Sequence, residues 1–258
     1  MKRGQLNTEE RAFFQTVYNA AFANPFSNLR EKLDIKIAGL FPDVPRRESI
    51  DRCVLEIDRR IKQLEDQGRA DINAFQGKDR DLVTIVILFD IFHKFRDDFD
   101  QLIKDQIAAQ DTPVKVPFAE KALAILTEYG FSPEAGFHYL SLSYQLRRAF
   151  YFISHALVGS CPSMKTLKKH LWYNVFTHNM NLYNQFLWNK MEDFSTLLLG
   201  ETGTGKGTAA KAIGRSGYIP FDPKTQCFSP SFTRAFSSLN LSQYPETLLE
   251  SELFGHTK

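Results

Sequence analysis

The sequence lacks long hydrophobic runs, paired cysteines and an excess of charge of one sign. Its longest nearly uninterrupted apolar run, Leu82 to Phe89, falls well short of the about 20 residues that a membrane-spanning helix needs. The N-terminus carries no apolar signal segment. Cys53, Cys161 and Cys227 form no CxxC pair, which is typical of reduced thiols in a cytosol. Since 32 Lys and Arg nearly balance 30 Asp and Glu, charge gives no reason to expect a nucleic-acid partner. We therefore expect a cytoplasmic protein with no membrane span.

Helical patterns dominate the first 155 residues. Asn7 and Glu10 form a capping-box pattern, which predicts a helix that ends before Asn24. Ser132 followed by Pro133 predicts the start of another. Helices are predicted over residues 8–23, 26–38, 46–67, 79–109, 119–129 and 133–157. Such helices bury their apolar faces against one another, so this region is predicted to be a helical bundle.

The helix predicted over residues 79–109 carries a marked aromatic stripe. Apolar side chains recur on one face at Leu82, Ile85, Phe89, Phe92, Phe95, Phe99 and Leu102. Two interpretations are open: the rings form the core of the bundle, or they line a pocket for a ligand. The sequence does not distinguish them.

A glycine-rich loop follows at residue 200. The apolar run over 194–199 predicts a strand, and a helix is predicted from about Thr208. Between them Gly200, Gly205 and Lys206 match the GxxxxGK pattern of a phosphate-binding loop. Its glycines allow the backbone to approach a polyphosphate, its amides point inward, and the helix dipole favours an anion. The predicted ATP-binding residues are Gly200, Glu201, Thr202, Gly203, Thr204, Gly205, Lys206, Gly207 and Thr208.

The loop departs from the common pattern immediately after its lysine. Most such loops place Ser or Thr there as a Mg²⁺ ligand, whereas this chain has Gly207. Thr208 is one residue too late for that role. The loop itself is therefore predicted to supply no metal ligand.

A second block identifies a family resemblance. The loop and the stretch PETLLESELFGH at residues 245–256 together resemble the central AAA+ domain of sigma-54-dependent transcriptional activators. Val158 to Met164 is similar to the entry of that domain. The resemblance covers about residues 157–258 and implies an α/β P-loop fold, ATP with Mg²⁺ in the complete domain, contact with sigma-54 RNA polymerase, and self-association in a ring. It also implies that Asn240 senses the nucleotide.

Several parts of that family's machinery are not found in the sequence. Walker B carboxylates, the sensor residues, the arginine finger and a DNA-binding helix-turn-helix are missing, and the sequence stops at Lys258, before the family's sigma-contacting loop. We therefore expect an N-terminal fragment with no catalytic residues and no metal site, which does not hydrolyse ATP alone.

The overall prediction is a mixed architecture. A helical regulatory or sensory domain over residues 1–156 precedes the start of an α/β AAA+ domain over 157–258, and the expected function is that of an ATP-binding regulator of sigma-54-dependent transcription, present as an N-terminal fragment. Two alternatives remain: a non-catalytic helical interaction or sensor protein with a vestigial loop, and a kinase-like P-loop enzyme. A sheet with few strands leaves apolar surface uncovered, so the region after about Glu192 is predicted to be sensitive to proteases.

Overall fold

The chain is described by a computed structural model over residues 4–41, 44–159, 161–191 and 194–239, together with Pro245 and Leu248. Helix is the dominant structure in these ranges. The helices are α1 (Thr8–Phe22), α2 (Asn28–Ala38), α3 (Arg46–Asp66), α4 (Gly77–Lys94), α5 (Arg96–Ala109), α6 (Ala119–Glu128), α7 (Pro133–Ala156), α8 (Pro162–Phe176), α9 (Met180–Leu182) and α10 (Lys206–Gly214). A 3₁₀ turn covers Ile72–Ala74, and a π-helical turn over Tyr183–Leu187 continues α9. Among the described helices, none combines the length and the apolar character that crossing a bilayer requires.

The predicted caps are present at the helix starts. The Glu10 amide donates to Asn7 Oδ1 and the Asn7 amide to Glu10 Oε2, both at 2.8 Å. At α7 the Ala135 amide donates to Ser132 Oγ at 3.2 Å. These bonds satisfy amides that the first turn of a helix leaves without partners, which explains why the sequence located both starts correctly.

The single helix predicted over residues 79–109 is wrong, because the chain forms two helices that meet at Phe95. Phe95 leaves helical geometry with φ −98° and ψ 13°, and its side chain is buried against Phe118, with ring centroids 5.4 Å apart. Lys94 is the last residue of α4 and Asp97 lies in the first turn of α5, so each charge is favourable for its own helix dipole. The break lets both helices turn their aromatic side chains toward the core.

Helix α7 is the centre of the fold. It contacts α5, α6, α8, α10 and the first strand of a hairpin described next. Tyr144, Ala149 and Ile153 are among its buried residues. Because it is covered on several sides, α7 connects the N-terminal helices with the C-terminal segment.

The sheet in the described ranges is one short antiparallel hairpin. Strand β1 (Phe221–Asp222) pairs with β2 (Cys227–Phe228), with Phe221 opposite Phe228. The Asp222 side chain accepts bonds from the Lys224 amide and the Thr225 hydroxyl, both at 2.9 Å, and so fixes the turn. An antiparallel bridge joins Cys227 to Lys115 in the connection between α5 and α6.

The strand predicted over residues 194–199 is also wrong. The described chain is irregular there and pairs with no strand, and the side chains of Leu197 and Leu199 are 81% and 84% exposed. A strand is held by hydrogen bonds to a neighbour, and no such neighbour lies beside these residues in the part of the chain that the structure describes. Apolar composition alone therefore did not suffice to predict a strand.

The packing of α10 and the hairpin limits the predicted protease sensitivity to residues 194–199. Ala212, Phe221 and Phe232 are buried, so α10 and the hairpin are protected. Within residues 8–236 we expect chymotrypsin to cut first after Phe194, Leu197 or Leu199, as identified by mass spectrometry of the fragments. Phe41 is as exposed as Leu199 but precedes Pro42, a bond that chymotrypsin does not cleave. A first cut after Phe221 or Phe228 would contradict this packing.

Candidate nucleotide-binding loop

The loop over residues 200–205 connects the irregular segment over residues 194–199 to α10 and is largely exposed to solvent. Gly203 and Gly205 have φ values of 84° and 87°, which only glycine adopts without strain. A Cβ atom at either position would meet nothing within 4 Å. Backbone conformation, rather than lack of space, therefore requires glycine here, and the space beside the loop is open.

The start of α10 supplies the amides of the site. Gly205 caps the helix without a side chain, so the first-turn amides face the loop rather than a capping group. The first intrahelical bond runs from the Ala209 amide to the Gly205 carbonyl at 3.0 Å. Lys206, Gly207 and Thr208 form the turn before it, and the positive end of the helix dipole is directed at the open side of the loop.

The Lys206 side chain folds back onto the loop. Its Nζ donates to the carbonyl oxygens of Gly200 and Glu201, both at 2.7 Å. The Thr204 hydroxyl also donates to the Glu201 carbonyl at 2.7 Å. A phosphate that binds Lys206 must therefore replace two neutral carbonyl partners, an exchange that favours the anion because the lysine is charged.

Helix α10 is held on the bundle through its opposite face. Ala209 and Ala212 are buried, and α10 contacts α7 and α8. A Cβ atom at Gly214 would lie 2.1 Å from the Phe236 ring. The close approach at Gly214 fixes the end of α10 against the chain that follows the hairpin.

A buried arginine binds the chain just after α10. Arg148 of α7 is fully buried and donates to the carbonyl oxygens of Arg215 at 2.7 Å and Gly217 at 2.6 Å. Gln145 donates to the Ser216 carbonyl at 3.0 Å. Burial lowers the pKa of Arg148 to about 10, so the guanidinium is charged near neutral pH. A positive charge at a helix C-terminus is favourable for the dipole.

The structure brings the predicted residues Gly200 to Thr208 together as one loop and helix start. Asn240 lies outside the described residues, as do Ser160 of the predicted domain entry and all but Pro245 and Leu248 of the 245–256 block. Arg148 and Gln145 were missed by the sequence analysis. Their signal was weak, since a polar residue on the apolar face of α7 resembles any other interruption of a helical pattern.

Comparisons with known proteins agree with the resemblance. Residues 176–258 match the family model of the Sigma-54 interaction domain. The Nif-specific regulatory protein of Azotobacter vinelandii is 36% identical over 111 residues, which are 43% of this chain and 16% of that protein. The anaerobic nitric oxide reductase transcription regulator NorR of Salmonella paratyphi C is 42% identical over 102 residues, 40% of this chain and 15% of the relative. The hydrogenase transcriptional regulatory protein HoxA of Cupriavidus necator is 42% identical over 66 residues, 26% of this chain and 11% of the relative.

These matches confirm the predicted resemblance: the C-terminal third of the chain is related to the sigma-54 interaction domain of sigma-54-dependent activators. The chain spans less than a fifth of the length of each of these relatives. No solved structure matches the chain.

Proposed function

We propose that residues 200–208 bind ATP and that the chain is part of a regulator of sigma-54-dependent transcription. The observation that carries this proposal is the joint arrangement of Gly203 and Gly205 at positive φ, the start of α10, and Lys206. The family match over residues 176–258 supports it independently. A role in transcription implies a cytoplasmic location.

The loop provides the contacts that a polyphosphate needs. The amides at the start of α10 would bind phosphate oxygens, and Lys206 would leave the carbonyls of Gly200 and Glu201 to bridge the β- and γ-phosphates. Gly207 has no side chain and so offers no hydroxyl oxygen to Mg²⁺. The residues therefore fit the nucleotide but do not by themselves fit its metal ion.

Further parts of the proposal rest on the resemblance. Residues 1–156 form a regulatory or sensory domain, and 157–258 form the start of an α/β AAA+ domain in which Asn240 senses the nucleotide. Sigma-54 RNA polymerase and other copies of the chain in a ring are the partners. Hydrolysis is not part of the proposal for this chain alone, because its sequence has no recognisable Walker B carboxylates.

Two observations favour a second candidate function. Residues 194–199 form no strand and are mostly exposed where a P-loop domain has a buried strand, and Lys206 already has two partners within the loop. Both features fit a helical interaction or sensor protein whose loop no longer binds nucleotide.

Titration with a fluorescent ATP analogue distinguishes the two candidates. We expect saturable binding to the unmodified chain and at least about tenfold weaker binding to Lys206→Ala, because a charge-assisted contact to phosphate is lost. Lys211→Ala is the matched control, since Lys211 is an exposed lysine on the same helix, and its binding should equal that of the unmodified chain. Equal signals from all three proteins, or none from any, would favour the second candidate.

A further inference from the structure

A large cavity lies among the N-terminal helices, on a different face of α7 from α10. Its volume is about 430 Å³, and α1 to α5, α7 and α8 all contribute to its wall. Phe92, Phe150 and Trp172 are among its aromatic residues. Cavities of this size are in the range that holds small organic ligands. Ile85 and Phe92 of the predicted stripe are only half-buried because they line this space.

Two buried polar atoms of the wall have no partner among the described residues. They are the Nδ1 atom of His93 and the Nε1 atom of Trp172. A buried polar group without a hydrogen bond costs about 1–3 kcal/mol, so such groups are rare in folded proteins. Neither atom is in contact with the open space, so both lie behind the lining of the cavity and do not bind its contents directly.

The cavity wall is also positively charged on balance. Five arginines line it (Arg30, Arg46, Arg47, Arg96 and Arg147), against three aspartates (Asp34, Asp97 and Asp100). Arg30 and Arg147 each pair with one aspartate, at 2.7 and 2.5 Å, and Arg96 pairs with Asp97 at 3.0 Å and with Asp51 at 3.7 Å. A guanidinium has five N–H donors, so these ion pairs leave donors for a bound anion.

His93 adds no positive charge to the cavity wall. Burial, together with the guanidinium groups of Arg30, Arg96 and Arg147, holds the pKa of His93 well below its ordinary value. The ring is therefore neutral near pH 7 and offers one donor and one acceptor.

We propose that this cavity is a binding site for a small amphipathic anion, an aromatic ring system that carries one carboxylate. The rings of Phe92 and Phe150 contact its apolar body, and Arg96 binds the carboxylate. Burial of the ring system drives binding, while the guanidinium provides charge-assisted hydrogen bonds. This site is independent of the nucleotide loop, and its occupancy can be tested without ATP.

The two tryptophans provide a direct test in the full chain. Trp172 lines the cavity, whereas Trp188 packs on His138 and Tyr218, with ring centroids at 5.0 and 4.6 Å. A ¹⁵N-labelled sample therefore gives one indole N–H resonance at the site and one away from it, assigned with Trp188→Phe. With 2-naphthoate as the probe, we expect the Trp172 resonance to shift saturably while that of Trp188 stays in place. The neutral analogue 2-naphthylmethanol should bind at least about tenfold more weakly.

Matched arginine variants test the assignment of the anion. Arg96→Met should weaken 2-naphthoate binding about tenfold. Arg59→Met removes an arginine from a comparable ion pair with Glu56 outside the cavity wall and should leave it unchanged. Circular dichroism verifies that both variants fold, and the comparison of the two probes needs no variant at all.

Three results would overturn the proposal: no shift of Trp172, equal shifts of both indoles, or equal affinity for the acid and the alcohol. Equal loss of binding in Arg96→Met and Arg59→Met would show that Arg96 has no specific role, and would contradict the proposed carboxylate site.

Discussion

Replacing Arg148 by methionine should lower the free energy of unfolding by about 3 kcal/mol, since hydrogen bonds to charged groups contribute about 1.5–3 kcal/mol each. Arg148 makes two such bonds to the chain after α10, and its guanidinium carbon lies 4.5 Å from the centroid of the Tyr144 ring. Methionine keeps much of the volume and removes the cost of burying a charge, but it leaves two carbonyls without their donors. Urea unfolding followed by circular dichroism measures the difference.

Arg59→Met is the control for this experiment. Arg59 is half-exposed and pairs with Glu56 on the surface of α3, and exposed pairs contribute about 0–1 kcal/mol. A loss below 1 kcal/mol for Arg148→Met would show that the contacts of this side chain do not hold the C-terminal segment on α7.

The second large effect is expected at the hairpin. Phe228 is 4% exposed and stacks on Tyr144, with ring centroids 4.1 Å apart. Replacement of a buried phenylalanine by alanine costs about 3–5 kcal/mol. We expect Phe228→Ala to release the hairpin and α10 before the rest of the chain. Hydrogen exchange should then lose protection over residues 206–232 and keep it in α3 and α4.

Phe186→Ala serves as the comparison, because Phe186 is 60% exposed and should change stability by less than about 0.5 kcal/mol. Uniform loss of protection across α3, α4 and α10 in Phe228→Ala would mean that the C-terminal segment and the bundle unfold as one unit.

The parts of the fold that the sequence predicted correctly depend on local chemistry. Asn7 and Ser132 mark helix starts because their side chains accept bonds from amides within the first turn, those of Glu10 and Ala135. The break at Phe95 was missed because its cause is tertiary: Phe95 packs on Phe118 of a later segment. The pairing of Cys227 with Lys115 is likewise invisible in either stretch alone.

The same distinction between local and tertiary causes applies to the candidate site. The glycine spacing and Lys206 define a loop that the sequence could propose, and positive φ values occur at Gly203 and Gly205. Residues 194–199 show the limit of this reasoning, because an apolar run becomes a strand only beside another strand. The role of Arg148 could not be predicted for a different reason. Its partners are backbone carbonyls more than 60 residues away. Every residue has a backbone carbonyl, so the sequence does not indicate which ones Arg148 binds.

Helix α7 has 24 residues and is therefore about 36 Å long. Leu142, Leu146 and Phe150 line the cavity, while Ser141, Gln145 and Arg148, on another face of the same helix, bind the hairpin and the chain after α10. One helix thus lies between the cavity and the C-terminal segment and contacts both. A ligand in the cavity that displaced α7 would also displace the α7 residues that bind the chain after α10, because close-packed interiors transmit strain rather than absorb it.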